Sequence, residues 1–324
     1  MIKLGYQIPN FTYPDTGASD LFAAVVAQAQ AAEANGFDTV LVMDHFYQLP
    51  GLGPPEHEML ECYSTLAALA QATERVQLSA LVTGNTYRNP AMLAKTVTTL
   101  DVISGGRAVL GVGAGWFELE HDGYGYEFGT FSDRFDKLEE ALQIIKPMFA
   151  GERPTFTGEH YRVQDALNEP RVRDDLPIML GGGGEKKTFR MAAQYADELN
   201  IIAGMDEIPR KLEALAARCE EQGRDLATLP TSFLMSVILA PTMEGAVAAR
   251  DEYLAARGVD WATMEPLMGQ RLVFGDPDTV AARLADDVIG AGIGGLTINM
   301  PANGHDPEIV ALAGQTLAPV VGVS

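Results

Sequence analysis

Apolar positions along the chain fall into two alternating patterns. Short runs of β-branched and aliphatic residues read as buried strands, and longer Ala- and Leu-rich segments with polar residues at helical spacing read as helices. Strands are expected at 3–8, 39–43, 76–82, 107–112, 177–180, 199–202, 231–239 and 296–300. Helices are expected at 20–35, 61–72, 91–103, 135–149, 187–196, 208–222, 244–256, 279–289 and 307–317. Punctuation supports these boundaries: Ser19 or Asp20 can cap the first helix, Gly36 can stop it, and Asn89-Pro90 can start the third.

Eight strands separated by helices imply parallel βαβ units. The number eight favours a closed (β/α)8 TIM barrel over an open doubly wound sheet. No linker or low-complexity tract divides the chain, so residues 1–324 read as a single domain. Three segments exceed an ordinary connection: 116–134, 151–176 (with hairpin strands at 155–156 and 160–163) and 258–278. Long insertions in a compact domain are usually lids or binding loops, and the loops after the strand C-termini build the active site of such a barrel.

Composition narrows the functional classes. Hydrophobic residues make up 47% of the 324 positions, enough for a full core. Lys plus Arg number 23 and Asp plus Glu 44, a net charge of −21. That balance repels nucleic-acid backbones and anionic membrane surfaces, so neither partner is expected. Any anionic ligand must then be held by local geometry. Two cysteines, Cys62 and Cys219, form no disulfide framework or C-x-x-C pair. With no signal-peptide pattern and no long apolar run, a cytoplasmic location is expected.

Chemistry gathers at the strand exits. Strand two runs into Asp44-His45-Phe46. A histidine at a barrel mouth can donate or accept a proton near neutral pH; the plain alternative is a residue capping the strand. Strand three runs into Thr83-Gly84-Asn85, small and polar residues suited to a bulge. Strand four ends in Gly111-Val112-Gly113-Ala114-Gly115-Trp116. This is not the dinucleotide fingerprint, because the sixth position is Trp116. Its small residues would admit a planar ligand, with Trp116 as a wall. Glu118, Glu120 and His121 follow, and as acids in an acidic chain the two glutamates read as solvated. The strongest local signal is Gly181-Gly182-Gly183-Gly184 between a strand and a helix. Unobstructed N–H groups beside a helix N-terminus make a phosphate site, whereas a tight turn needs fewer glycines. The G-K-[ST] ending of a nucleotide-hydrolysing loop is absent. The five histidines show no metal-ligand spacing, and no G-x-S-x-G elbow occurs.

Taken together, several of these pieces resemble the luciferase-like superfamily of flavin and deazaflavin oxidoreductases. They are Asp44-His45-Phe46, Thr83-Gly84, Tyr87-Arg88-Asn89-Pro90-Ala91, Thr98-Thr99-Leu100-Asp101, Ser104-Gly105-Gly106-Arg107, Gly111 to Phe117, the glycine run, and Tyr195-Ala196-Asp197. The set is most similar to the actinobacterial branch that uses the deazaflavin coenzyme F420. The resemblance implies a barrel whose mouth carries the tricyclic ring, and a homodimer. It implies that Asp44 contacts the cofactor and that His45 is the active-site histidine. A non-proline cis peptide at Leu81-Val82, followed by Thr83, would support the ring. Gly181, Gly182, Gly183 and Gly184 would surround the phosphate, and Ala203-Gly204 would touch the tail. Sugar-phosphate dehydrogenases of the family carry Glu where this chain has Trp116, Trp where it has Leu49, and Lys where it has Met205. Glu120 is then the alternative acid, and Leu49, Trp116 and Phe117, with Trp261 and Met264 of the last insertion, an apolar substrate pocket. The expectation is an F420-dependent oxidoreductase passing hydride between the deazaflavin C5 and a small organic substrate. The alternatives are an FMN-dependent monooxygenase and a non-catalytic flavin-binding protein.

Overall fold

The computed structural model describes residues 1–323. Eight parallel strands close into a barrel: β1 (Leu4–Ile8), β2 (Thr39–Val42), β3 (Gln77–Ala80), β4 (Ala108–Gly113), β5 (Ile178–Gly181), β6 (Glu198–Ile201), β7 (Thr231–Leu239) and β8 (Gly295–Asn299). Closure comes from β7, which pairs with β6 (Phe233 opposite Ile201) and with β8 (Met235 opposite Ile298). The (β/α)8 barrel expected from the eight apolar runs is therefore the observed fold.

Alternation along each strand divides the core in two. Leu4, Tyr6 and Ile8 of β1 join the main cluster between the strands and the surrounding helices. Ile2, Leu41, Leu81, Val109 and Met179 make a second, smaller cluster. A buried polar layer crosses between strands: Asn299 donates to Gln7 at 2.9 Å, Ser236 donates to Asn299 at 2.7 Å, and Gln7 donates to the Leu81 carbonyl at 3.1 Å.

The helices up to the last insertion are α1 (Leu21–Ala34), α2 (Cys62–Ala72), α3 (Pro90–Ser104), α4 (Glu118–Tyr124), α5 (Phe131–Phe149), α6 (Lys187–Tyr195), α7 (Ile208–Glu221), α8 (Met243–Ala255) and α9 (Trp261–Met268). Helix α3 begins as the sequence indicated, with Asn89 accepting from the Ala91 and Met92 amides and Pro90 in the first turn. Helix α5 begins four residues before expectation. Thr130 and Asp133 form a capping box that the hydrophobic periodicity did not register.

Each long segment proves more ordered than a loop. Residues 116–134 contain α4, and residues 258–278 contain α9 and the strand Leu272–Gly275, which lengthens the β7 edge. The hairpin in 151–176 pairs Phe156–Thr157 with Arg162–Val163. Its Tyr161 hydroxyl accepts from Asn85 at the exit of β3 at 3.4 Å. Glu140 of α5 accepts from the Glu159, His160 and Tyr161 amides at 2.6, 3.0 and 2.9 Å, and Asn168 bonds to Thr98 of α3. The segment is thus fastened to α3 and α5 and reaches the exit of β3. No helix is long and apolar enough to cross a membrane among the described residues.

Candidate active site

The exits of β2, β3 and β4 converge on one carboxylate. Glu120, on α4, is fully buried. One of its oxygens accepts from the Tyr47 amide at 3.0 Å and from the Phe46 amide. The other meets His45 Nδ1 at 2.9 Å and accepts the Tyr87 hydroxyl at 2.6 Å. Burial opposes ionisation, but the bonds from His45, Tyr87 and Tyr47 outweigh it and hold this carboxyl below its usual range. Burial and the same carboxylate push the Tyr87 phenol upward. An ionised carboxylate only accepts, so the network places a proton on His45 Nδ1. Among the described residues His45 Nε2 has no hydrogen-bond partner, and a neutral ring presents its lone pair there. The local reading of Glu120 as a solvated acid is thus corrected. His121 is also fully buried, between the Phe117 carbonyl (2.8 Å) and the Thr86 hydroxyl (2.7 Å).

Asp44 lies behind His45 in a second pair. Its carboxylate is 2% exposed, takes a two-pronged contact from Arg88 at 2.6 and 2.9 Å, and accepts the Gly84 amide at 3.0 Å. Burial lowers the affinity of the Arg88 guanidinium for its proton, but Asp44 more than compensates. The pair ties the exit of β2 to the exit of β3. There the Leu81–Val82 peptide is cis, and Thr83–Gly84 pairs with the end of β4. Thr83 is buried, and its hydroxyl lies 2.6 Å from that of Tyr63.

The glycine run occupies the exit of β5. Gly182 has φ +144°, and an added Cβ at Gly181 would lie 2.5 Å from Val82. A Cβ at Gly184 would lie 2.8 Å from Thr188, and one at Gly183 would collide with the Ile202 carbonyl. Side chains are excluded here by neighbouring atoms. Helix α6 has no side-chain cap, and the amides of Gly183 through Lys186 donate to no protein acceptor among the described residues. Free amides at a cradle closed to side chains fit a phosphate-bearing ligand. The turn Ala203-Gly204-Met205 stands beside it after β6, its Gly204 amide bonded to Glu207 at 3.1 Å. Met205 is buried.

Two aromatic rings border His45. Trp116 and Phe117 stack at 5.1 Å between centroids, and each meets the imidazole edge-on at 5.9 Å. Trp116 is 58% exposed, so an indole face is open to solvent beside the histidine. Leu49 is half-buried in the loop after β2. The last insertion meets the loop after β2, where Gly51, Gly53 and Pro54 border the same cleft as Met264. Trp261 packs on Phe274 and under Arg250, while Met264 lines a cleft of about 410 Å³ with Met268, Pro54 and Tyr253. The structure thus joins His45, Glu120, Trp116 and Phe117 directly, and links Asp44, Thr83 and Gly84. Val82 touches the glycine run. Sequence reasoning missed Tyr87, Arg88 and Lys211. Only Tyr87-Arg88 had a signal, as part of a recognised motif without an assigned role. No group of three or more metal-ligating side chains exists among the described residues.

The profile of the luciferase-like monooxygenase family matches residues 2–294. An F420-dependent glucose-6-phosphate dehydrogenase from Kineococcus radiotolerans is 30% identical over 93% of the chain and 91% of its own length. A pyrimidine monooxygenase, RutA of Stutzerimonas stutzeri, is 30% identical over 80% of the chain and 72% of its own length. An F420-dependent secondary alcohol dehydrogenase, solved with an F420–acetone adduct, superposes with a TM-score of 0.82 over 99% of both chains at 22% identity, a likeness of fold.

Proposed function

The chain belongs to the luciferase-like monooxygenase family, and from that premise we propose an F420-dependent oxidoreductase acting on a small organic substrate. When bound, the deazaflavin supplies a carbon centre that accepts or donates a hydride. The residues of this chain bind, orient and manage the proton. Gly181 to Gly184 and the first turn of α6 hold the phosphate, with Ala203 and Gly204 beside it. Leu81, Val82 and Thr83 support the ring, and Asp44, locked to Arg88, fixes that support against β2. His45 Nε2 takes the proton from a substrate hydroxyl during oxidation, or returns one to a carbonyl during reduction. Glu120 acts through His45 as a positioning residue. Trp116, Phe117 and Leu49 wall the substrate and exclude water.

One observation carries this reading: a histidine at the barrel mouth with Nδ1 on a buried carboxylate and Nε2 unpartnered. The test is His45→Ala. Cofactor affinity should stay within about twofold, while turnover across a panel of secondary alcohols and ketones falls at least about 10²-fold. Unchanged turnover removes His45 from the chemistry.

The apolar wall favours uncharged substrates over sugar phosphates. Two buried free thiols fit a reducing compartment, and we place the protein in the cytoplasm. A homodimer completes the proposal, supported by Met92, Val102 and Ile103, which leave α3 with exposed apolar side chains.

A further inference from the structure

Lys211 is a buried lysine whose place the sequence did not reveal. It lies in the first turn of α7, and its side chain is only 9% exposed. Its ammonium donates to the Gly183 carbonyl at 2.9 Å and to Glu185 at 2.9 Å, with Glu207 at 3.9 Å. It therefore bridges the glycine run after β5 and the turn after β6, the two segments assigned to the phosphate.

We propose that Lys211 orients and charges the phosphate cradle from behind. The argument starts from the peptide plane. The Gly183–Gly184 bond is trans, so its C=O and N–H point in opposite directions. Lys211 pins the carbonyl inward, and the Gly184 N–H must then face outward, where no protein acceptor meets it. Glycine leaves a peptide free to rotate, so four in succession would hold amides poorly without such a pin. A cation on the carbonyl also polarises the peptide and strengthens its N–H as a donor. The buried positive charge provides short-range attraction in a chain whose total charge is −21.

Glu185 is the counterpart. It takes bonds from Lys211 and Arg210 at the edge of the cradle. The Lys211 bond first, with Arg210 beside it, holds its carboxyl below the usual range, so it is ionised at neutral pH. That carboxylate offsets the charge of Lys211 and repels a phosphate held at the edge of the cradle. Glu185 therefore tempers the affinity that Lys211 confers.

This inference rests on the proposed cofactor site, and its test separates the two. Dissociation constants are measured by fluorescence titration for two pairs: coenzyme F420 against its phosphate-free deazaflavin chromophore, and FMN against riboflavin. In the FMN pair the ratio isolates the phosphate, and in the F420 pair it reports the phosphate together with the tail. Lys211→Met should cut the phosphate-bearing partner's affinity at least tenfold and leave the phosphate-free partner within twofold. Lys211→Arg should recover part of the loss. Glu185→Gln leaves the lysine in place and should tighten the phosphate-bearing ligand severalfold, which keeps the proposal testable if Lys211→Met does not fold. Equal losses for both partners, no loss at all, or weaker phosphate binding in Glu185→Gln overturns it. A wild-type protein that ignores F420 but prefers FMN to riboflavin defeats the F420 reading and leaves Lys211 to be judged on the FMN pair. A wild type with no preference for phosphate in either pair overturns the Lys211 role.

Discussion

At the scale of single residues, the informative group is Glu120. Four donors fill a carboxylate with no solvent contact, and one of them is the ring nitrogen of His45. Glutamine in its place keeps the shape but reverses the two bonds at one oxygen, those with His45 and Tyr87. Its amide would donate to Nδ1 and move the imidazole proton to Nε2, the wrong tautomer for accepting a proton. Glu120→Gln should therefore lose at least about 10²-fold in turnover with cofactor affinity unchanged. Nitrogen NMR of the labelled histidine should report the tautomer change, a signature that mere loosening of α4 would not give. The variant also has a pH consequence. A carboxyl held below its unfolded value, about 4.3 for glutamate, contributes stability that is present above that value. The contribution is lost as pH falls through the lower folded value. Below about pH 4 the wild type should lose stability more steeply than Glu120→Gln. His45 was legible in the sequence because a polar residue at a strand exit is unusual. Glu120 came only as an alternative acid through the resemblance, since nothing local distinguishes a buried acid from a solvated one when its donors come from positions 45, 46, 47 and 87.

At the scale of elements, barrel strands were readable from apolar runs, and their ends from glycine, asparagine and proline. The break in the third strand was not visible in the hydrophobic pattern, because Leu81 and Val82 continue the apolar run across it. The resemblance alone marked it. Likewise α4 follows a glycine-rich exit and lacks a side-chain cap, so residues 116–134 read as irregular. The glycine run was legible as a cradle, and the structure adds why alanine is excluded. At Gly183 the obstacle is a backbone carbonyl, which cannot rotate away as a side chain could. Gly183→Ala should cost about 1–3 kcal/mol by overpacking. It should also weaken phosphate-bearing ligands more than phosphate-free ones. Thermal denaturation and the same paired titration check both; an unchanged melting temperature would mean that the strand ends are looser than their contacts imply.

At the scale of the whole molecule, the closed barrel brings the exits of β2 through β6 to one face, so residues distant in sequence share a mouth. Net charge acts at longer range. An acidity of −21 slows the approach of an anionic cofactor without deciding its final grip. The Debye length shrinks from about 30 Å at 0.01 M salt to about 8 Å at physiological strength. The association rate constant for F420 should therefore rise over that interval in stopped-flow fluorescence, and a falling rate would show that the mouth is locally positive enough to steer the anion. The central claim is that this barrel uses the deazaflavin. Anaerobic equilibrium titration of the purified protein with F420 and with FMN, under identical conditions, tests it most directly. The account predicts saturable F420 binding at least tenfold tighter than FMN binding. Tight FMN binding with none for F420 would contradict it and make the protein an FMN-dependent member of the same family.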